Sequence, residues 1–212
     1  MKAARLFPLA GIGAVVLYVV GFVVSGETPS TDDSVREIVS FYRDNDSEQV
    51  IAAALVAWGT ALFVLFSSGL WRVIRDAETE RRGGSTLIVV GTTVFAVGAS
   101  IFSGLGFTLG DVADDVGPGA IQTLNALNSD MFFTVALGTF LFLMGAGASM
   151  IQTGVLPKWL GWVSVVLAVL ALTPAGFFVF LALGPWLLIV SGLLYARGST
   201  PAREAPSSGP SS

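Results

Sequence analysis

The acids, amides and hydroxyls between residues 111 and 134 are the side chains of this chain best placed to do chemistry. Asp130 directly precedes a 21-residue uncharged run, 131–151, with Asn125, Asn128 and Ser129 one or two turns before it and Thr134 one turn after. A carboxylate inside hydrocarbon costs a few kcal/mol and marks function by default, whereas one at the interface is solvated and favoured at a helix N-terminus. Asp130 lies at the border of these cases. The candidate ligand-binding set is Asp130, Asn128, Thr134 and Arg36, with Arg36 on the first polar connector as a counter-charge, a role that Arg43 also fits. Asp111, Asp114 and Asp115 form a second group, three acids within five residues. Carboxylate oxygens at such density hold hard cations such as Ca²⁺. Their spacing departs from the D-x-[DN]-x-[DN]-G loop with a later Glu, so they are expected to be a solvated turn and not a metal site.

What the chain lacks removes most other chemistry. With no Cys and no His there is no disulfide, thiolate nucleophile, Cys/His zinc site or His proton relay. No helix carries a pair of acids, and no nucleophile has a neighbouring base, so neither catalysis nor a cofactor is expected. A net charge of −4 argues against nucleic acid as a partner.

The elements that must hold these residues are membrane helices. The chain is 53% hydrophobic and 12% charged, with a mean hydropathy of +0.77. A soluble domain carries about 25% charged residues. Crossing about 30 Å of hydrocarbon takes about 20 apolar residues, and several uncharged runs reach that length. The chain is therefore expected to be all-α, a polytopic six-helix bundle with the lipid bilayer as its first partner. The expected spans are 6–24, 50–71, 86–107, 131–151 with an N-terminal extension from 121, 157–173 and 177–196. The last two come from one uncharged stretch, 159–196, which as a single helix would be about 57 Å long and must break. Thr173-Pro174-Ala175-Gly176 is the expected break, and Pro185 is then a kink inside the last helix. Residues 197–212, rich in Pro and Ser, lack the apolar side chains to fold and form an expected disordered tail. Pro8 falls in the first turn of the first span, where its missing N–H costs nothing.

Between the first two spans lies a polar connector. Ser34 and Glu37 have the spacing of a capping box, and Val35, Ile38, Val39 and Tyr42 recur at helical intervals, so a short amphipathic helix is expected to lie on the bilayer or roof the bundle. Gly106 and Gly110 form a GxxxG, a spacing that serves dimers and packing within one chain alike. Oligomeric partners, whether a second copy or another membrane protein, are left open.

Orientation follows from charge. Nine of the eleven basic residues fall at the N-terminus (Lys2, Arg5), in the second connector (Arg72, Arg75, Arg81, Arg82), in the fourth (Lys158) and in the tail (Arg197, Arg203). Both termini are then cytoplasmic in the cell membrane, with the acidic first and third connectors outside. Trp71, Trp159, Trp162 and Tyr195 fall at the inner interface and Trp186 near the outer one, as an aromatic belt predicts.

The stretch Gly145-Ala-Gly147 through Gln152-Thr-Gly154-Val-Leu-Pro157-Lys158-Trp159-Leu-Gly161-Trp162 has a pattern of its own. It resembles a family of actinobacterial-type multi-pass membrane proteins with a domain of unknown function, which carry an LP-K/R-WLGW turn between helices. The connector helix, followed by an Ala-rich span ending in Leu70-Trp71-Arg72, is similar as well. The resemblance, over about residues 27–162, implies a six-helix bundle and supplies no site residues. In physical terms the turn is an anchor: Pro157 pre-sets a helix start, Lys158 favours an anionic leaflet, and Trp159 and Trp162 suit headgroup depth. On the fourth helix Asp130, Thr134, Gly138, Leu141, Gly145, Ala148 and Gln152 share an arc of about 80° and form the expected inward, packed face. The functional expectation is a non-catalytic membrane protein that senses, scaffolds or binds a small or lipidic ligand. A transporter subunit and a carboxylate-based membrane enzyme are the alternatives.

Overall fold

The computed structural model describes residues 6–78 and 83–198. Lys2, Arg5, Arg81, Arg82, Arg203 and the expected disordered tail past Gly198 lie outside the described residues. Among the described residues the chain is all-α. Its seven helices are α1 (Leu6–Ser25), α2 (Val35–Asp44), α3 (Asp46–Ala77), α4 (Gly84–Asp111), α5 (Pro118–Thr153), α6 (Lys158–Ala171) and α7 (Gly176–Gly198). Five of them, α1, α3, α4, α5 and α7, are long and apolar enough to cross a membrane. The expected fifth span, 157–173, is a shorter element. Pro157 is the N-cap of α6 and not its first helical residue, and Leu172 ends it. Its 14 residues rise about 21 Å, less than the ~30 Å of a hydrocarbon core.

The turn between α6 and α7 falls at the expected proline. Thr173 closes it by donating from Oγ1 to Leu170 O at 2.7 Å and accepting from Ala175 N at 3.2 Å. Pro185 is accommodated within a helix that continues to Gly198. At the other end of α6, α5 stops because Gly154 takes a left-handed conformation, φ 65°, and its N–H closes on Met150 O at 3.0 Å.

Two long helices exceed their apolar runs. Hydropathy sees only the part of a helix that must be dry, whereas the helix continues for as long as its residues find neighbours. α3 therefore starts at Asp46 and not near 50, and α5 starts with Pro118 in its first turn and not near 121. The 36 residues of α5 span about 54 Å, well beyond a bilayer's hydrocarbon. On this projecting end sits α2, held by a small core of its own in which Ile38, Val39 and Tyr42 pack on Leu109, Ala113 and Ile121. The expected capping box is present: Glu37 N–H donates to Ser34 Oγ at 3.3 Å, and Ser34 N–H to Glu37 Oε2 at 3.0 Å. α2 thus roofs the bundle.

The main core is aromatic. Phe63, Phe95 and Phe142 are fully buried at the centre, Tyr18 and Trp186 flank them, and Phe63 lies 4.6 Å from Phe95 and 5.1 Å from Phe142 between ring centres. Trp186 corrects the aromatic-belt expectation. It is 2% exposed, packs edge-on against Phe142, and donates its indole N–H to Ser164 Oγ at 2.8 Å, which ties α7 to α6. Trp159 and Trp162 are exposed.

α4 and α5 form the most extensive helix pair. They meet where glycine allows backbones to touch: a Cβ on Gly91 would run into the backbone of Phe142, and one on Gly138 into the backbone of Phe95. The face expected on α5 is this seam. Gly138 and Gly145 are buried in it, Thr134, Leu141 and Ala148 are half-buried, and Asp130 and Gln152 at its ends are exposed. Gly110 of the GxxxG packs within the chain, where a Cβ would come 2.7 Å from Asp46 O on α3.

At the end of the bundle where α3 passes to α4, Glu78 does what its place among arginines did not announce. Its side chain is 2% exposed, accepts from Ser85 N–H at 2.9 Å and Ser85 Oγ at 2.6 Å, and also from Ser149 Oγ on α5 at 3.0 Å. Gly83, the N-cap of α4, has no side chain to offer, so Glu78 supplies the missing cap and joins three helices.

Two predictions follow from these contacts. Gly91→Ala and Gly138→Ala should each destabilise the detergent-purified protein by about 1–3 kcal/mol through overpacking, while Gly104→Ala, whose Cβ would meet nothing within 4 Å, should leave its melting temperature nearly unchanged. Glu78→Ala should cost about 1–3 kcal/mol by stranding buried serine donors, and a thermal-unfolding series including Ser149→Ala reads the shared part of that loss.

Candidate functional site

A cleft of about 150 Å³ opens beneath α2, between the ends of α1, α3, α4 and α5. Each wall is polar for a local reason. α1 ends at Ser25, and Gly26, at φ 66°, turns the chain away. Gln49, in the first turn of α3 and 5% exposed, completes that end: its Nε2 donates to Ser25 O at 2.8 Å and its Oε1 accepts from Ser25 Oγ at 3.1 Å. On α4, Ser103 donates to Ala53 O of α3 at 2.6 Å.

The fourth wall is a stripe of α5. Asn125, Asn128, Ser129 and Phe132 follow one another at i, i+3, i+4 and i+7 and face the cleft together. Asn125, 2% exposed, accepts from the Tyr42 hydroxyl at 2.7 Å and donates to Pro29 O at 3.4 Å. It thereby fastens both α2 and the preceding connector to α5. Ser129 Oγ donates to Asn125 O at 3.1 Å. The Oδ1 of Asn128 is buried with no hydrogen-bond partner. A buried acceptor left unpaired costs roughly 1–3 kcal/mol.

Phe22, Phe102 and Phe132 give the cleft its apolar surface, and its lining has no Asp, Glu, Lys or Arg. Its one ionisable group is Tyr42. Burial disfavours the phenolate and pushes the Tyr42 hydroxyl from 10.0 to about 12. The site can offer amide and hydroxyl hydrogen bonds and flat apolar contacts, with a neutral phenol throughout the physiological range.

The four residues singled out from the sequence do not converge. Asn128 lines the cleft. Asp130, two positions on and so about 200° around the helix, is exposed in a shallow groove against Thr173, Pro174 and Phe177. Thr134 sits in the α4 seam, where its methyl approaches Gly98, and Arg36 is exposed on α2. The ion pair considered for Asp130 goes elsewhere: Arg43 lies 3.5 Å from Asp114 and donates from Nε to Ala113 O at 3.0 Å. Asp111 and Asp115 are exposed, and among the described residues no three acids are grouped to hold a metal.

Comparison with known proteins finds no match. No family model, no curated protein and no solved structure corresponds to this chain. The cleft must therefore be interpreted from its own residues. The asparagine stripe was available in the sequence as an i, i+3, i+4, i+7 pattern. Gln49, Ser25 and Tyr42 were not, because it takes the packing of α1 on α3 and the docking of α2 on α5 to bring them to one place.

The raised hydroxyl of Tyr42 gives a pH test. Because the fold favours the protonated phenol, this contribution to stability is complete below pH 10 and lost as pH rises toward 12. A spectrophotometric phenolate titration should contain a component near 12 that Tyr42→Phe removes.

Proposed function

We propose that this protein is a non-catalytic membrane protein that binds a small uncharged polar ligand, or the hydroxylated head of a neutral amphiphile, in the cleft beneath α2. The observation that carries this reading is a lining of amides, hydroxyls, small apolar side chains and phenyl faces with no formal charge, beside which the buried Asn128 Oδ1 has no hydrogen-bond partner. A charged ligand would lose its hydration there without gaining a counter-ion. The lining has no acid pair and no base beside its serine hydroxyls, which favours binding over reaction.

The same reading holds the chain to be a six-span protein of the cell membrane, with α6 as a short span, both termini cytoplasmic and α2 outside. The uneven distribution of Lys and Arg supports this orientation. Lys158 and the exposed Trp159 and Trp162 at the start of α6 suit an interfacial anchor. The similarity to the LP-K/R-WLGW family fits this arrangement, with the cleft opening to the extracytoplasmic side. A transporter reading has less support, because Tyr18, Phe63 and Phe95 fill the bundle below the cleft.

Thermal unfolding in nanodiscs tests the binding reading, with monoacylglycerols and small neutral polyols set beside fatty acids of matching length. A neutral compound at a hundred times its Kd should stabilise the protein by about 2.7 kcal/mol. Ala53→Phe, which fills the cleft, should abolish the shift, and Asn128→Leu should reduce it. Equal shifts from charged and neutral compounds, or shifts that survive Ala53→Phe, would refute the proposal.

A further inference from the structure

The cleft beneath α2 has two sides, and they are closed by different means. On the aqueous side α2 is fastened by polar contacts: the Tyr42 hydroxyl donates to Asn125 Oδ1 at 2.7 Å, Arg43 Nε donates to Ala113 O at 3.0 Å, and Arg43 lies 3.5 Å from Asp114. The small core around Ile38 and Ile121 lies behind these contacts. On the lipid side there is no such fastening. α1 packs on α3 and α7, and α5 packs on α4 and α6, but α1 and α5 share no extensive contact. What spans the space between them is a set of three phenyl rings. Phe22 of α1 and Phe132 of α5 both line the cleft, and Phe180 of α7 stands between them. Its ring centre is 5.5 Å from that of Phe22 and 6.2 Å from that of Phe132, edge-on to both.

None of the three rings is fully buried. Phe22 is 40% exposed, and Phe132 and Phe180 are half-buried. Val23, Phe133 and Phe177 around them are exposed, as side chains facing acyl chains would be. Behind the rings Tyr18 is fixed, with its hydroxyl 3.1 Å from Thr60 Oγ1, and it backs Phe180 from the core, so the rings have room to move only outward. A groove of about 410 Å³ against the α6–α7 turn adjoins this closure and shares Ser129 and Phe132 with the cleft. The Phe132 ring is thus the partition between the two. Turning it away from Phe180 joins the polar cleft to a groove bordered by Phe133, Pro174 and Phe177 at the membrane surface. Rotation of a partly exposed ring is fast, whereas lifting α2 must break hydrogen bonds, an ion pair and a core, and local openings of that kind are far slower.

We propose that Phe22, Phe132 and Phe180 are a lateral gate through which the ligand of the cleft enters from the bilayer leaflet on the α2 side. Such a gate rests on the binding reading of the cleft and narrows its ligand to a neutral amphiphile dissolved in the membrane. The hydroxylated head passes the rings into the cleft, and the chain stays in the groove beyond Phe132. A polyol free in water meets the fastened roof instead.

The chain has no cysteine, so Ala53→Cys places a single thiol in the cleft wall, and its alkylation in nanodiscs reports which side opens. In that background Phe180→Ala, and Phe180→Leu, which keeps more of the packing, should each raise the rate of labelling by a membrane-dissolved long-chain N-alkylmaleimide. The expected gain is roughly fivefold, from the loss of two edge-on ring contacts. Labelling by a sulfonated, water-confined maleimide should stay unchanged. Tyr42→Phe, which loosens the roof, should do the reverse, and Phe178→Ala, an exposed phenyl outside the gate, should alter neither rate. An alkylmaleimide rate unmoved by both Phe180 variants, or raised as much by Tyr42→Phe, would overturn the gate. A gain shared by both reagents in the Phe180 variants would overturn it too, since the fold as a whole would then have loosened. These rates need no ligand, so they stand apart from the binding reading. Monooleoylglycerol should slow the alkylation and free glycerol should not; equal protection by glycerol overturns the choice of an amphiphile, and protection by neither overturns the binding reading and leaves the gate to the labelling rates.

Discussion

Hydrocarbon offers no hydrogen-bond partner, and the rest of this structure depends on that constraint. Every polar group carried into an apolar bundle must be satisfied by the chain itself or left at a cost of kcal/mol. Backbone groups meet the requirement by being helical. Side chains meet it in a few recurring ways: Ser, Thr and Asn bond to their own helix, Gln49 completes the end of α1, Trp186 takes Ser164, and Glu78 closes the start of α4. With polar contacts so confined, close packing of helices falls to shape, which is why the α4–α5 seam depends on Gly91 and Gly138.

This constraint also separates what the sequence makes legible from what it does not. Runs of apolar residues locate the long helices, because hydrophobic length is a direct consequence of the dry phase. The Ser34–Glu37 box and the Thr173-Pro174 turn are local chemistry, and local chemistry is readable one residue at a time. The shortfall of α6, the extra turns of α5 and the burial of Trp186 depend on neighbours distant in sequence. Glu78 stands in a connector rich in arginine, and its neighbours in sequence do not show that it caps α4, which begins after a glycine that has no side chain to do so.

The choice of Asp130 shows the same limit within one helix. Charge drew attention to it, yet its neighbours two and five positions earlier, Asn128 and Asn125, carry the polar face of the cleft. A charged residue beside an apolar run is conspicuous in composition but can remain in solvent. An amide is inconspicuous, and can be buried at far smaller cost. In membrane bundles the neutral polar residues at helical spacing are therefore the better guide to an enclosed site.

α2 is joined to the bundle in a way that has a mechanical consequence. Its apolar contacts form a core distinct from the aromatic centre, its joint with α3 is the single residue Asn45, and Tyr42 reaches α5 through one hydrogen bond to Asn125. Such a unit has its own opening free energy, smaller than that of the whole molecule. A separate core of this kind lets the roof exchange with solvent as its own cooperative element while Phe63, Phe95 and Phe142 stay packed.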